Sequence, residues 1–240
     1  MGGKVHVGTS GWHYKHWLGL FYPQELRAHE MFAFYARQFD TVEINNTFYH
    51  LPAPSTFDSW RENSPRRFLF AAKASRFITH MKKLKDPKSS TKKFFAGAER
   101  LHKKLGPILF QLPPRWQLNL ERLAEFLKAL PAEHRYAFEF RDPSWHVPEV
   151  YQLLNRRNAA FCIYDFSGTP TPIELTANFT YLRFHGAGYS GSYSSSQLES
   201  WAARIREWKQ QRLDVYAYFN NDIGGHAITN AQQLKQMLED

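Results

Sequence analysis

One cysteine in 240 residues, Cys162, leaves no partner for an internal disulfide and no thiolates for a cysteine-held metal cluster, so a reducing compartment is the expected home. No apolar run approaches the ~20 residues that a bilayer-spanning helix needs. The first residues, Met1-Gly2-Gly3-Lys4, lead straight into a strand-like run instead of a leader peptide. A soluble, cytoplasmic protein with no membrane partner is the expectation. The chain also lacks a His-Glu-x-x-His pair, a Walker-type loop and a nucleophile elbow, which removes the enzyme classes those motifs define. No linker, repeat or low-complexity stretch divides it. Acidic residues are the scarcer charge: 22 Asp and Glu against 31 Lys and Arg leave +9 at neutral pH and a pI near 9.6. That balance favours anionic partners such as phosphorylated metabolites or nucleic acid.

What is present argues for a packed α/β core. Hydrophobic residues make up 43% and aromatics 16%, too apolar for a disordered chain. Strand-like runs cover 5–10, 41–46, 68–74, 108–112, 136–141, 160–165 and 215–220, and a further one, Tyr181-Leu182-Arg183-Phe184-His185, runs into Gly186-Ala187-Gly188. Between most of them apolar residues recur at helical spacing, as in Phe94, Ala98, Leu101 and Leu105 ahead of the Gly106-Pro107 stop. The stretch 166–178, with Gly168, Pro170 and Pro172, has no such period and should be irregular. Eight strands alternating with about seven helices predict a single-domain (β/α)8 TIM barrel over residues 1–240, near the usual ~250 for that fold. An open, doubly wound sheet is the alternative.

Side chains alternate between the faces of a strand. With the bulky apolar parity turned to the helices, the barrel interior reads His6, Gly8 and Ser10; Glu43 and Asn45; Lys73 and Ser75; Leu109, Gln111 and Pro113; Glu139 and Arg141; Tyr181, Arg183 and His185; Tyr216, Tyr218 and Asn220. The sixth strand leaves its parity open, offering Cys162 with Tyr164 or Ile163 with Asp165. Buried charges cost several kcal/mol unless paired, so Glu43, Lys73, Glu139, Arg141 and Arg183 should neutralise one another at the carboxyl-end mouth. As a site, Lys73, Arg141 and Arg183 would clamp an anion with Asn45 and Asn220 beside them, Glu43 or Glu139 would act as general base, and His185 as the acid/base partner. Alternatively, the same ions would merely plug the barrel. Trp12, Tyr49 and Trp145, on loops at the same end, would stack on a sugar or base or else pack the loops.

Two glycine-rich turns, Gly186-Ala187-Gly188 with Gly191 and Asp222-Ile223-Gly224-Gly225, follow the last two strands, where barrels often hold phosphate on backbone amides. Glu43, Glu139, His185 and Asp165 are donor types that a divalent metal accepts, but Lys73, Arg141 and Arg183 would repel a cation, so no metal ligand is assigned. A triad drawn from Ser10, His185 and Asp165 or Asp222 rests only on common residue types. The basic segment Lys82, Lys83, Lys85, Lys88, Lys92, Lys93, Arg100, Lys103 and Lys104 reads as a solvated helix face or as a surface for a phosphate backbone.

Several blocks, each at or just after a strand, carry a family resemblance. They are Gly8-Thr9-Ser10-Gly11-Trp12 with Phe21-Tyr22-Pro23, Val42-Glu43-Ile44-Asn45-Asn46-Thr47-Phe48-Tyr49, Lys73-Ala74-Ser75-Arg76 with Thr79-His80, Phe110-Gln111-Leu112-Pro113-Pro114, Glu139-Phe140-Arg141 with Ser144-Trp145, Arg183-Phe184-His185-Gly186, and Tyr218-Phe219-Asn220-Asn221-Asp222. Together they resemble domain-of-unknown-function family 72, the YecE-like proteins, across essentially the whole chain. The resemblance implies a TIM barrel and brings no assigned catalytic residues. The residues themselves predict an enzyme acting on an anionic, phosphate-bearing substrate. Alternatives are a non-catalytic binder of nucleic acid or a phosphorylated ligand, and a metal-assisted phosphodiesterase resembling barrel endonucleases. Cofactor and oligomeric state are left unassigned.

Overall fold

Apolar runs too short for helices and rich in aromatic and β-branched residues form the strands of the computed structural model, which describes residues 2–166, 170–187 and 190–239. These are β1 (Val5–Thr9), β2 (Thr41–Ile44), β3 (Leu69–Lys73), β4 (Leu105–Leu112), β5 (Tyr136–Phe140), β6 (Ala160–Asp165), β7 (Phe179–Phe184) and β8 (Asp214–Phe219). All pair in parallel, in the order β1-β8-β7-β6-β5-β4-β3-β2. The helices are α1 (Met31–Gln38), α2 (Asn46–Tyr49), α3 (Pro54–Glu62), α4 (Pro87–Ala98), α5 (Leu120–Ala129), α6 (Pro148–Arg156), α7 (Ser195–Gln210) and α8 (His226–Glu239). Ser194 caps α7 through a reciprocal pair with Gln197.

The ring closes between β1 and β2 without a regular ladder. A single bridge pairs Ser10 with Glu43, and the Gly11 N–H donates to the Glu43 carbonyl at 2.9 Å. Deeper in the seam the Tyr35 hydroxyl of α1 accepts from the Thr9 N–H at 2.9 Å and donates to the Thr41 carbonyl at 3.1 Å. The two strands approach closely because residue 8 is glycine: a Cβ there would lie 2.4 Å from the Thr41 carbonyl oxygen.

Two packed layers follow from the alternation. Outward residues such as Phe70, Phe110, Phe138, Phe161, Leu182 and Phe219 meet the helices. Inward, Ala71, Ala137, Ala160 and Cys162 leave room for Leu109, Phe179, Tyr181, Tyr216 and Tyr218, so small residues on one arc complement rings on the other. This apolar plug supports a polar layer above it. The parity of β6 is thereby settled: Cys162 and Tyr164 face inward, whereas the Asp165 carboxylate faces α7 and accepts from Trp201 Nε1 at 2.9 Å.

The helix ahead of β4 is shorter than its apolar period predicts. α4 ends at Ala98, a 3-10 segment with a kink at His102 carries Leu101, and Leu105 already belongs to β4. Gly106-Pro107 sits inside that strand, where the β3 register slips between Phe70 and Ala72; a bulge accommodates a residue that has no N–H to give. Among the described residues no helix joins β6 to β7, as the proline-rich crossover implies; Gly168 lies outside them. No helix among them is long and apolar enough to cross a membrane.

Candidate functional site

Four charged side chains form the floor of the carboxyl-end mouth. Arg183, buried on β7, donates Nη2 to Glu43 Oε1 and Nη1 to Glu139 Oε2, each at 2.8 Å. Glu43 also accepts from Ser10 Oγ on Oε1 and from the Tyr181 hydroxyl at 2.7 Å on Oε2. Arg141 Nε donates to Glu139 Oε1, and the Arg141 guanidinium stacks 4.7 Å from the Tyr164 ring. Two carboxylates thus face two guanidiniums, and the buried charge closes on itself. Burial pushes the Glu139 carboxyl up, but Arg141 and Arg183 outweigh it and hold the group below the usual carboxylate range.

His185 is buried beside this floor. Its Nε2 lies 2.9 Å from Arg141 Nη2 and its Nδ1 lies 3.1 Å from the Asn220 side-chain amide. Burial, then Arg183, pushes its pKa well below that of a free imidazole, so the ring is neutral. A guanidinium only donates, so Nε2 is the accepting nitrogen and the ring proton sits on Nδ1; Asn220 must then present its oxygen to it.

Lys73 stands apart from the neutralised set. It ends β3 only 5% exposed, with Nζ 4.1 Å from the centroid of the Phe48 ring. Its ammonium has no hydrogen-bond or ion-pair partner among the described residues, since the nearby carboxylates are committed to arginines. Burial and the charge of Arg183 lower its pKa to about 7, with Glu43 and Glu139 opposing in part. The short helix α2 sets this environment: Thr47 Oγ1 donates to the Lys73 carbonyl at 2.6 Å, which fixes Phe48 beneath the amine.

Above the floor opens a cavity of about 570 Å³ onto which Lys73, Arg141, Gln111, Asn220, His80 and Asp222 face. It shares Tyr14, Asn45 and Tyr49 with an adjoining hollow of about 300 Å³ that Trp12 also lines. Asn45 Oδ1 is buried with no hydrogen-bond partner among the described residues. His80, on the wide π-helical turn Phe77–Met81, is pushed down to about 4 by burial, then by Lys73 and Arg76. Burial raises the Asp222 carboxyl.

Most residues expected at the mouth converge there, but several occupy different positions. Lys73, Arg141, Asn45, Tyr49 and Asn220 line the main cavity and Trp12 its annex. Glu43, Glu139, Arg183 and His185 lie in the buried layer beneath, so Arg183 cannot also clamp an external anion while it holds both carboxylates. Trp145 is not a stacking platform. It is 0% exposed, packed on Phe140 and Trp116, because the Asp142–Ser144 turn tucks it under the loop. Asp165, turned to α7, can serve neither a metal nor a triad at the mouth. Ser10 donates to Glu43 and does not meet His185 as a nucleophile would.

The glycine turns also differ from an anion cradle. The Gly186 N–H already donates to the Tyr193 hydroxyl at 3.1 Å, Gly224 and Gly225 line a separate hollow with Leu20 and Phe21, and Gly188 lies outside the described residues. Of the basic segment, Lys82 pairs with Asp86, Arg100 with Asp58, and Lys104 caps the Arg61 and Ser64 carbonyls. Three donors at metal-ligand spacing meet, among the described residues, only at Glu99, Glu133 and His134, ahead of β5 at the opposite end of the barrel. His80 and Tyr14 are not among the site residues expected from sequence, and Asp222 is expected only as a triad member or in its glycine-rich turn; the Thr79-His80 block after β3 is the available clue to His80.

Fold and site together define a class: a parallel eight-stranded barrel whose mouth carries a self-neutralised carboxylate–guanidinium floor and a buried lysine with no ion-pair partner among the described residues. Within that class the chain belongs to the DUF72 family, described as proteins of unknown function, whose model matches residues 6–240. It is 27% identical to the UPF0759 protein YunF of Bacillus subtilis over 98% of this chain and 95% of that one. To the UPF0759 protein YecE of Escherichia coli K12 it is 31% identical over 63% of this chain and 54% of that protein. The crystal structure of a DUF72 family protein from Thermotoga maritima superposes with a TM-score of 0.89 at 30% identity, covering 99% of this chain and all of that one. A DUF72 protein from Enterococcus faecalis shares the fold with a TM-score of 0.80 at 20% identity.

Proposed function

We propose that the protein is an enzyme acting on an anionic, phosphate-bearing substrate held in the mouth cavity. The observation that carries this reading is the surplus cation. The floor's two carboxylates are consumed by its two guanidiniums, and Lys73 faces the cavity with no ion-pair partner among the described residues; the cavity wall carries one carboxylate, Asp222, whose pKa burial raises toward the neutral form. An arriving anion pairs with Arg141 and lies beside the Lys73 amine. Gln111, Asn220 and the unsatisfied Asn45 oxygen offer orienting hydrogen bonds, and Trp12 and Tyr49 flank the annex where a sugar or base would stack. Glu43 or Glu139 could act as base only after releasing an arginine; Lys73, His80 and Asp222 are among the titratable groups that already face the substrate space.

Inorganic phosphate tests the anion site directly. At matched ionic strength, millimolar phosphate should raise the Tm of the wild type, by up to ~3 kcal/mol of added stability at a hundred times Kd, and should leave Lys73→Met unmoved. Equal shifts in both proteins would sink the reading. The second reading, a nucleic-acid binder, draws on Lys83, Lys85, Lys88, Lys92 and Lys93, which remain exposed on and around α4. It requires binding to generic DNA or RNA that weakens steeply with salt.

A further inference from the structure

Lys73 combines three geometric features that a lysine serving only as a point charge does not need. Its backbone is fixed at the end of β3 opposite Leu109 of β4, so the amine is delivered from a rigid strand. Its stem is almost wholly enclosed while its Nζ faces the main cavity. Finally, the two carboxylates that would have paired with the amine are held by Arg141 and Arg183, which leaves it only the weaker attraction of the Phe48 ring. Such a setting withholds a counter-ion from an amine that substrate can reach, which favours the nucleophilic, uncharged form.

Resting on the anion-site reading, we infer that Lys73 is a covalent catalyst whose amine condenses with the carbonyl carbon of an anionic aldehyde or ketone to form an imine. The Nζ lone pair makes the new C–N bond as the carbonyl π electrons move to oxygen. That oxygen takes the two protons nitrogen gives up and leaves as water, so nothing is oxidised or reduced. His80 and Asp222, which line the same cavity, are placed to relay those protons, and Arg141 faces the same space to hold the substrate's anionic group. The lowered pKa of Lys73 agrees: at pH 7 about half of such an amine is neutral, against roughly one part in a few thousand for a solvated lysine.

Borohydride trapping decides the matter. The intact protein is incubated at pH 7 with pyruvate or with dihydroxyacetone phosphate, a carboxylate and a phosphate probe respectively, then reduced, and the modified lysine is located by peptide mass mapping. Hydride delivered to the imine carbon leaves a stable secondary amine. The expected result is a single adduct at Lys73, exceeding that at any other lysine by roughly tenfold or more, suppressed by inorganic phosphate and absent from Lys73→Arg. Which probe labels identifies the anionic group. If Lys73→Arg fails to fold, the distribution of label on the wild type still decides. Label spread evenly over surface lysines, or no label with either probe, overturns the imine. In that event a retained phosphate-dependent Tm shift shows that the anion site stands without it, and a lost shift removes both.

Discussion

A single amine sets the most specific expectation for this protein. Lys73 has a folded-state pKa of about 7 against roughly 10.4 in the unfolded chain. Below pH 7 it is protonated in both states, and the folded state carries the full cost of burying the charge. As pH rises from 7 toward 10, the folded amine is neutral while the unfolded one still binds its proton, so the cost fades and stability rises. Urea unfolding at pH 7 and pH 9.5 should therefore show a gain in the wild type that exceeds the gain in Lys73→Met by on the order of a few kcal/mol. Equal pH dependence in both proteins would show that the amine is not destabilised by burial. Sequence parity placed Lys73 inward, beside acids, as one cation among three. Its isolation was not legible, because it depends on which arginine each carboxylate chooses, and that choice is made across strands distant in sequence. Trp12 and Trp145 make the same point for loops. Both follow strands, yet the turn capped by Asp142 buries one while the other lines the annex.

At the scale of elements, alternation and periodicity carried the reading far. Every strand falls where its apolar run lies, and the inward charges Glu43, Lys73, Glu139, Arg141 and Arg183 form the layer observed above the barrel plug, whereas His6 pairs with Asp40 at the other end. The misses have local causes. Asn45-Asn46 reads as the end of a strand, but the chain turns there into α2, the one-turn helix that brings Phe48 under Lys73. His80 rides on a wide turn that no hydrophobic period announces. The β1–β2 seam is a third case: a helix hydroxyl, rather than a ladder, joins the strands. Tyr35→Phe should accordingly cost about 1–3 kcal/mol, since it strands the buried Thr9 N–H and Thr41 carbonyl while keeping the ring's packing. Hydrogen exchange should quicken at the Thr9 amide before it does at strands on the far side of the barrel. A loss of a few tenths of a kcal/mol would mean that the seam is held by packing alone.

For the whole molecule, the +9 net charge and the neutral floor belong to separate regions, the first spread over the exterior and the second sealed in the barrel. Salt should screen the former and scarcely touch the latter. The floor's contribution to global stability is instead tied to pH through Glu139. Because arginines hold its folded pKa below the ordinary carboxylate value of about 4.3, its stabilisation is present above that value and is lost as pH falls beneath it. Glu139→Gln removes one of the two carboxylates around Arg183 and the one paired with Arg141, at a cost of about 3–5 kcal/mol near neutrality. The difference between wild type and Glu139→Gln, followed by urea unfolding, should hold steady from pH 7 to 5 and narrow as pH drops through 4 toward 3. High salt should not abolish it. A difference that stays constant to pH 3 would mean that Glu139 is indifferent to its arginines in the folded barrel, and one that widens as pH falls from 7 to 5 would mean that the group is protonated there. The absence of a partner for Lys73 among the described residues would then need another cause, because the commitment of both carboxylates to arginine is what accounts for it.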